Sequence, residues 1–333
     1  MTYLSGFDIG GTKCSVSVGR QEADGTLTIL AKERFPTPHE PEEALTIMMN
    51  VLEQLLQHLH LPGVEAIGIS CGSPLNSELG LVHSPPNLPH WNGIDVVSPV
   101  KQRFRVPVGL QNDANACALS EWRWGAGRGT RNMLFLTFGT GMGAGLILNG
   151  RLYTGTNDMA GEIGHIRLEH DGPVGYGKAG SFEGFCSGGG IARLAAAHAE
   201  AVLKAGGTTS FCCDREQLAS ITAQSVGEAA QNGDPTALKV FHLVGEELGR
   251  GLSVLVDILN PEMIVIGSIY GRQQKLLEPV ALEVLKREAL PEALSVCKVV
   301  PAALGERVGD YAGLSVAMHA LSMLADAETV NPR

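Results

Sequence analysis

The chain has 333 residues and a formal net charge of −10, and 42 of its residues are glycine, well above the usual share of ~7%. Its 44% apolar content excludes a disordered chain, and its length suggests two domains. No run of ~18 apolar residues predicts a membrane span, and the first residues lack the pattern of a secretory signal. The acidic balance argues against nucleic-acid binding, because phosphate contacts need clustered Lys and Arg.

The cysteines indicate a reduced, cytoplasmic protein. Their number is odd and no C-x-x-C pair occurs, so neither a disulfide framework nor a redox motif is expected. We expect them to be small buried apolar residues, with an adjacent pair in a loop. They are Cys14, Cys71, Cys117, Cys186, Cys212, Cys213 and Cys297.

The first third of the chain has the pattern of short strands followed by a helix. Apolar and β-branched runs predict strands over residues 3–9, 14–19, 27–34, 64–70 and 106–110. Leucines at helical spacing predict an amphipathic helix over residues 40–60. Residues 84–91 (SPPNLPHW) contain three prolines and predict an extended loop.

The rest of the chain repeats a β-β-β-α type of order with longer insertions. Strands are predicted over residues 132–138, 144–148 and 263–266, and helices over 188–204, 235–259, 276–287 and 312–324. Residues 139–143 form a glycine-rich turn between the first two of these strands. The two halves together predict an α/β protein.

The first chemical motif is Asp8-Ile9-Gly10-Gly11-Thr12-Lys13, between two predicted strands. Two glycines in a tight turn let backbone N–H groups approach an anion closely. Thr12 and Lys13 add a hydroxyl and a cation, and Asp8 could hold hydrated Mg²⁺ beside phosphates. An ordinary glycine hairpin is the alternative.

The second motif, residues 136–145 (LTFGTGMGAG), fits G-x-G-x-x-A but is followed by a strand. A dinucleotide fingerprint needs a helix at that point, and no Walker sequence occurs, so both sites are excluded. Two glycine-threonine hairpins, one in each half, instead suggest two phosphate loops for one nucleotide. With Gly267-Ser268 after an apolar strand, they resemble the actin-like ATPase and sugar-kinase superfamily.

The third motif is Asn112-Asp113, directly after a predicted strand. An aspartate at the carboxyl end of a strand, where a helix begins, lies where α/β folds place catalytic groups. Asp113 could therefore accept a proton from a substrate hydroxyl during phosphoryl transfer. It could equally cap the helix, and the two roles are compatible.

The fourth motif is Gly161-Glu162-Ile163-Gly164-His165, followed by Glu183. Carboxylates with an imidazole suit a ligand with several vicinal hydroxyls. A di-iron site fits less well, because it needs two Glu-x-x-His helices and glycine is a poor helix residue. A loop histidine beside a solvated glutamate is the remaining alternative.

Taken in order, these motifs resemble the ROK family of sugar kinases and sugar-responsive repressors, over residues 3–320. The resemblance implies two ribonuclease-H-like domains of the actin-like ATPase and sugar-kinase type around a central cleft. It implies Asp113 as the catalytic base, with ATP and Mg²⁺ as cofactors and Mg²⁺ carried near Asp8. The implied sugar ligands are Asn87, Asn112, Asp113, Glu162, His165 and Glu183. The implied ATP ligands are Asp8, Gly10, Gly11, Thr12, Lys13, Gly139, Thr140, Gly141 and, near adenosine, Gly267.

The chain departs from the family at its zinc site. Most members carry C-x-C-G-x-x-G-C-x-E after the histidine, whereas this chain has Val174, Tyr176 and Ser181 at the three cysteine positions. We therefore expect no protein zinc site, and a loop held by packing of Tyr176 and Phe182.

The expected domains are residues 1–112, joined by a C-terminal helix at about 310–333, and residues 113–309. The leading hypothesis is an ATP-dependent hexose kinase of the glucokinase type. Fructose, mannose, allose, N-acetylglucosamine and N-acetylmannosamine are alternative substrates. A sugar-sensing regulator is the alternative of another class; its helix-turn-helix is not expected, because the first phosphate loop begins at Asp8. We expect a homodimer that binds hexose and ATP, and neither nucleic acid nor membrane.

Overall fold

The computed structural model describes residues 1–330, with side chains described as far as Ala325, and its first sheet has five strands. The order is β3-β2-β1-β4-β8, with β1 Thr2–Ile9, β2 Lys13–Gln21, β3 Leu27–Pro36, β4 Ala66–Cys71 and β8 Val108–Asn112. β1, β2 and β3 pair antiparallel, whereas β1, β4 and β8 run parallel. The parallel strands end in register at Ile9, Cys71 and Asn112, so the residues that follow them share one sheet edge.

Helices cover both faces of this sheet. The central strand β4 is buried throughout its length, which requires cover on both faces. Helix α1 (Pro41–His58) packs Leu45, Met48 and Leu52 on one face. Helix α11 (Val308–Val330) packs Leu314 and Ala317 on the other face.

Glycines allow α11 to lie very close to the sheet. A Cβ atom on Gly68 of β4 would lie 2.1 Å from the carbonyl oxygen of Gly313 and 2.2 Å from the nitrogen of Ala317. Part of the glycine excess is therefore a packing feature of the core, remote from the glycine turns of the motifs.

The second five-stranded sheet repeats the strand order of the first. It runs β11-β10-β9-β14-β15, with β9 Met133–Phe138, β10 Met142–Leu148, β11 Arg151–Tyr153, β14 Met263–Ile266 and β15 Lys298–Pro301. In both sheets the first three strands along the chain occupy the third, second and first positions of the sheet. The last two strands occupy the fourth and fifth positions. β10 and β11 are antiparallel, and β9, β14 and β15 are parallel, as in the first sheet.

The remaining elements are small sheets and helices. The small sheets contain β5 (Leu75–Asn76), β6 (Leu81–His83) and β7 (Asn92–Asp95), and separately β12 (Val174–Gly175) and β13 (Lys178–Ala179). The other helices are α2 (Ser98–Phe104), α3 (Asp113–Trp124), α4 (Phe182–Phe185), α5 (Gly188–Lys204), α6 (Ala223–Gln231), α7 (Pro235–Leu259), α8 (Ile269–Arg272), α9 (Gln274–Glu288) and α10 (Pro291–Leu294). No helix in the described part of the chain has the length and apolar character needed to cross a membrane.

The chain forms two compact units. The first contains Met1–Gly129, Gly145–Ala160 and the C-terminal segment from Glu306; the second contains Thr130–Ala144 and Gly161–Gly305. These units differ from the division expected after residue 112, because α3 packs against α11 and so belongs to the first unit. The final three residues of the C-terminal helix expected at about 310–333 lie outside the described residues.

The seven cysteines are free thiols. Cys14, Cys71, Cys186 and Cys212 are buried, in agreement with their interpretation as small apolar residues. Cys213 is exposed beside Cys212 in an irregular segment, and Cys117 and Cys297 are partly buried.

Candidate active site

A pocket of about 280 Å³ lies at the carboxyl edge of the first sheet. It brings together five of the residues predicted for the site: Asp8, Gly10, Gly11, Asn87 and Asp113. β1 supplies Asp8, β8 leads to Asp113, and the proline-rich loop supplies Asn87. Parallel strands that end in register thus explain why residues more than a hundred positions apart share one pocket.

The start of α3 separates the two roles that the sequence left open for Asp113. Asn112 is the N-cap residue, and its side-chain oxygen accepts a hydrogen bond of 2.8 Å from the N–H of Asn115. Asp113 is the first helical residue, and its carboxylate accepts the N–H of Ala114 at 2.8 Å. The cap is therefore made by Asn112, and the Asp113 side chain faces the pocket.

Burial raises the pKa of both carboxyl groups in the pocket. The Asp113 side chain is open to water on the pocket side, but the surrounding protein desolvates it and raises its pKa above the ordinary value. For Asp8, burial raises the pKa to about 6; Lys32 opposes this shift and Asp113 adds to it. A carboxylate whose pKa is raised toward neutrality is a stronger proton acceptor than an ordinary aspartate.

The raised pKa of Asp8 predicts a pH-dependent cost to stability. Between about pH 4 and pH 6 the unfolded chain releases this proton while the folded chain keeps it, so stability falls as pH rises through that window. We expect Asp8→Asn to raise the free energy of unfolding at pH 8 by about 1–2 kcal/mol, allowing for water in the pocket. Thermal melts at pH 4 and pH 8 measure this. An equal gain at both pH values, or none at pH 8, would contradict the assignment.

The first glycine turn is tied to the proline-rich loop. Gly10 donates its N–H to the carbonyl of Lys13 at 3.2 Å, which closes the turn between β1 and β2. A Cβ atom on Gly11 would lie 2.5 Å from the Cβ and the carbonyl oxygen of Asn87. Gly11 therefore permits the close approach of Asn87, whereas Thr12 and Lys13 are exposed and do not line the pocket.

The second unit has its own pocket, of about 510 Å³, at the second glycine turn. It contains Gly139 and Thr140 and the first turn of α5, where Gly188 donates its N–H to the carbonyl of Gly139 at 2.7 Å. Gly190 donates its N–H to the hydroxyl of Ser187 at 3.0 Å. The positive end of the helix dipole at this N-terminus favours an anion.

Gly267 does not line this pocket, but its neighbour Ser268 does. Gly267 follows β14 and donates its N–H to the carbonyl of Leu136 at 3.0 Å. Ser268 has a φ of 55°, and its hydroxyl accepts a hydrogen bond of 3.1 Å from Arg272.

Glu183 connects the second glycine turn to the Gly161–His165 motif within the second unit. Its carboxylate accepts the N–H of Met142 at 3.1 Å and lies beside Gly141. Residues 163–165 form a short 3-10 helix that begins after Glu162, so His165 and Glu162 are presented by one tight turn. Glu162 is exposed, and His165 and Glu183 are partly buried.

The segment over residues 174–183, which lacks the three expected zinc cysteines, is held by hydrogen bonds and by packing. Ser181 caps α4, with its hydroxyl accepting the N–H of Gly184 at 3.0 Å, and Phe182 is fully buried. Of the two aromatic residues expected to pack this loop, Phe182 is buried, whereas Tyr176 is 70% exposed because it lies at the tip of the β12–β13 hairpin.

We expect the purified protein to contain no stoichiometric zinc. In the described part of the chain, no group of three His, Cys, Asp or Glu side chains is arranged to hold a metal ion. A structural zinc site needs four ligands, usually including thiolates. Elemental analysis after dialysis measures the metal content, and a full equivalent of zinc per chain would contradict this prediction.

Several pocket residues were not anticipated from the sequence. Ser70, Gly72 and Ser73 line the first pocket, and Thr222 and Arg272 line the second. The predicted strand over residues 64–70 is the signal that could have identified Ser70, Gly72 and Ser73, because it ends at the same sheet edge as the strand that carries Asp8 and the strand that leads to Asp113. Two larger cavities in the first unit, of about 680 and 700 Å³, contain none of the predicted site residues.

Comparison with known proteins identifies the family. The ROK family pattern matches residues 4–317. The glucokinase of Halalkalibacterium halodurans is 33% identical over 322 residues, covering 93% of this chain and 93% of that protein. The transcriptional dual regulator NagC of Escherichia coli is 28% identical over 319 residues, covering 91% of this chain and 75% of that protein.

A solved structure extends this likeness to the fold. The ROK family glucokinase of Streptomyces griseus, solved with glucose and AMPPNP, is 29% identical, with a TM-score of 0.72. The match covers 95% of this chain and 99% of that one. The predicted α/β fold with two ribonuclease-H-like domains is thereby confirmed. The family pattern matches almost the whole length, one relative is one-third identical, and the fold is shared. This chain therefore belongs to the ROK family.

Proposed function

We propose that the chain is an ATP-dependent kinase that transfers a phosphoryl group to a hydroxyl of a hexose, with Asp113 as the general base. The observation that carries this proposal is the carboxylate of Asp113, which opens into a pocket at the carboxyl edge of the first sheet and has a raised pKa. The resemblance to glucokinases of other organisms supports the same reaction.

In this mechanism Asp113 accepts the proton of the attacking hydroxyl as its oxygen bonds to the γ-phosphorus of ATP, the bond from that phosphorus to the bridging oxygen breaks, and ADP leaves. Its role requires a hydroxyl within hydrogen-bond distance and a carboxylate that is ionised at the working pH. The position at the first turn of α3 favours ionisation, because the helix N-terminus stabilises negative charge and Ala114 donates its N–H. Burial raises the pKa of Asp113 in spite of these contacts, and a carboxylate with a raised pKa is a better acceptor for the hydroxyl proton.

Asp8 is the residue proposed to lie near Mg²⁺ carried with ATP. The fit is chemical: carboxylate oxygen is a ligand that Mg²⁺ prefers, and a cation would offset the charge repulsion between Asp8 and Asp113. When bound, the metal ion neutralises charge on the transferring phosphates. The first glycine turn, with Gly10, Gly11, Thr12 and Lys13, is proposed to contact those phosphates.

The second pocket is proposed to hold the rest of the nucleotide. Gly139, Thr140 and Gly141 would surround a phosphate next to the N-terminus of α5. Thr140 and Gly141 would donate backbone N–H groups to it, because the N–H of Gly139 donates to the carbonyl of Gly141 at 3.1 Å and closes the turn. Adenosine would lie toward Gly267 and Ser268. These assignments are supported by the clustering of Gly139, Thr140 and Ser268 around one pocket.

The sugar is proposed to be held by amide, carboxylate and imidazole groups. Asn87 lines the first pocket; Asn112 uses its oxygen to cap α3 and keeps its amide N–H groups for a hydroxyl. Glu162, His165 and Glu183 complete the set. Glucose is the substrate we favour, with fructose, mannose, allose and the N-acetylated amino sugars as alternatives.

A coupled assay of ADP release over about 20 sugars tests this function, because sites that bind hydroxyl groups can discriminate strongly between sugars. We expect hexose-dependent turnover with glucose among the substrates. Absence of turnover with every sugar, together with sugar binding measured by calorimetry, would favour the alternative of a sugar-sensing regulator without a DNA-binding domain.

We also propose a homodimer. Sedimentation should then give twice the chain mass of 35.1 kDa. A mass of one chain at micromolar concentration would contradict this.

A further inference from the structure

Two side chains of the β12–β13 hairpin reach His165 from different directions. The ring of Tyr176 meets the imidazole edge to face, with centroids 5.1 Å apart and planes at 81°. The ammonium group of Lys178 donates a hydrogen bond of 2.6 Å to the backbone carbonyl of His165. One contact therefore restrains the ring and the other restrains the main chain.

The hairpin that carries these groups is itself well anchored. Arg167 donates to the carbonyl of Ala179 at 2.6 Å, and Gly180 donates its N–H to the carbonyl of Pro173 at 3.1 Å. Both restraints act on the backbone next to β12 and β13. The hairpin backbone is therefore held in place, and Tyr176 and Lys178 contact His165 from a fixed position.

The turn residue is unusual in a way that packing does not explain. Tyr176 and Gly177 both have positive φ, 43° and 78°, as a two-residue hairpin turn requires. Asparagine, aspartate or glycine normally takes such a position, and a bulky residue there is an outlier. The ring gains little burial, since Tyr176 is 70% exposed. Its contact with His165 is the interaction that accounts for an aromatic residue here.

We propose that Tyr176 and Lys178 are positioning residues, which hold the His165 imidazole for a hydrogen bond to the sugar. This inference rests on the proposed function. Tyr176 contacts the imidazole ring and Lys178 the backbone carbonyl, so together they fix both the ring and the main chain of His165. Neither residue is expected to touch the reacting atoms.

Steady-state kinetics with a phosphorylated sugar test the proposal. We expect Tyr176→Ala to raise the KM for the sugar about 2- to 10-fold, the range that an edge-to-face pair supports, with a smaller change in kcat. Tyr176→Phe keeps the ring and should retain the wild-type KM. Lys178→Met should raise the KM for the sugar, and Lys178→Arg, which keeps a donor, should restore much of it. The KM for ATP should not move in any of the four variants.

A double-mutant cycle separates positioning from general loop damage. In a His165→Ala background, Tyr176→Ala should have no further effect on sugar binding measured by calorimetry, because the ring it positions is gone. Additive losses in the double variant, or a wild-type KM in Tyr176→Ala, would overturn the proposal. Absence of kinase activity in the wild type would overturn the proposed function instead.

A spectroscopic measurement does not depend on turnover. In protein labelled with [¹⁵N]histidine, the His165 ring signals, assigned by their loss in His165→Ala, should shift in Tyr176→Ala and stay in place in Tyr176→Phe. The other histidine signals should be unchanged in both variants. Unshifted His165 signals in Tyr176→Ala would show that the tyrosine does not orient the imidazole and would overturn the proposal.

Discussion

Replacement of Asp113 by asparagine is expected to lower kcat by about 10²- to 10⁴-fold, the usual contribution of a general base. Asparagine has nearly the same shape but cannot accept the proton of the attacking hydroxyl. The helix cap is made by Asn112, so α3 should keep its start and the KM values for sugar and ATP should change little. Initial-rate measurements over a range of both substrates test this expectation.

The matched control for this variant is Asp171→Asn, which makes the same chemical change on an exposed side chain that lies 3.2 Å from the Nδ1 of exposed His170. We expect wild-type kcat for the control. If Asp113→Asn kept wild-type turnover, Asp113 would not be the base. If both variants lost activity equally, the loss could not be assigned to proton transfer.

The largest effect on stability is expected for Gly68→Ala. Its new methyl group would lie within 2.2 Å of two backbone atoms of α11, and backbone atoms in a packed core cannot move aside as the end of a side chain can. Overpacking of this kind should cost about 3 kcal/mol or more. The melting temperature should fall by about 6 °C or more.

Gly63→Ala is the control for that change. Gly63 precedes β4, and a Cβ atom there would meet nothing within 4 Å. We expect this variant to be neutral or slightly stabilised, since alanine restricts the unfolded chain more than glycine does. Equal melting temperatures for Gly68→Ala and the wild type would show that α11 does not lie as close to β4 as described.

Local patterns predicted most of the elements. The strand over residues 263–266 and the helices over 188–204 and 235–259 have the predicted bounds, because turn or capping residues such as Ser187 and Asp234 mark their starts. The division into compact units was not predictable in the same way. It depends on α3 packing against α11, a contact between segments about 200 residues apart.

The same distinction applies to the candidate site. Asp8 and Asp113 were predicted separately, Asp8 from its glycine turn and Asp113 from its place after a strand. The in-register ends of parallel strands, which the sequence did not predict, bring them to one sheet edge. Thr222 and Arg272 of the second pocket have no comparable local signal, since loop and helix packing brings them to Gly139. Tyr176 was expected to pack the loop together with Phe182, but the turn geometry places it at an exposed hairpin tip.

The central claim is that this ROK family member transfers phosphate from ATP to a hexose. Mass spectrometry of a reaction containing protein, Mg-ATP and glucose tests it most directly. The account predicts a hexose monophosphate formed in a one-to-one ratio with ADP, and about 10²- to 10⁴-fold less of it over the same time with Asp113→Asn. ADP formed without any phosphorylated sugar, or no ADP with glucose and every alternative hexose, would contradict it.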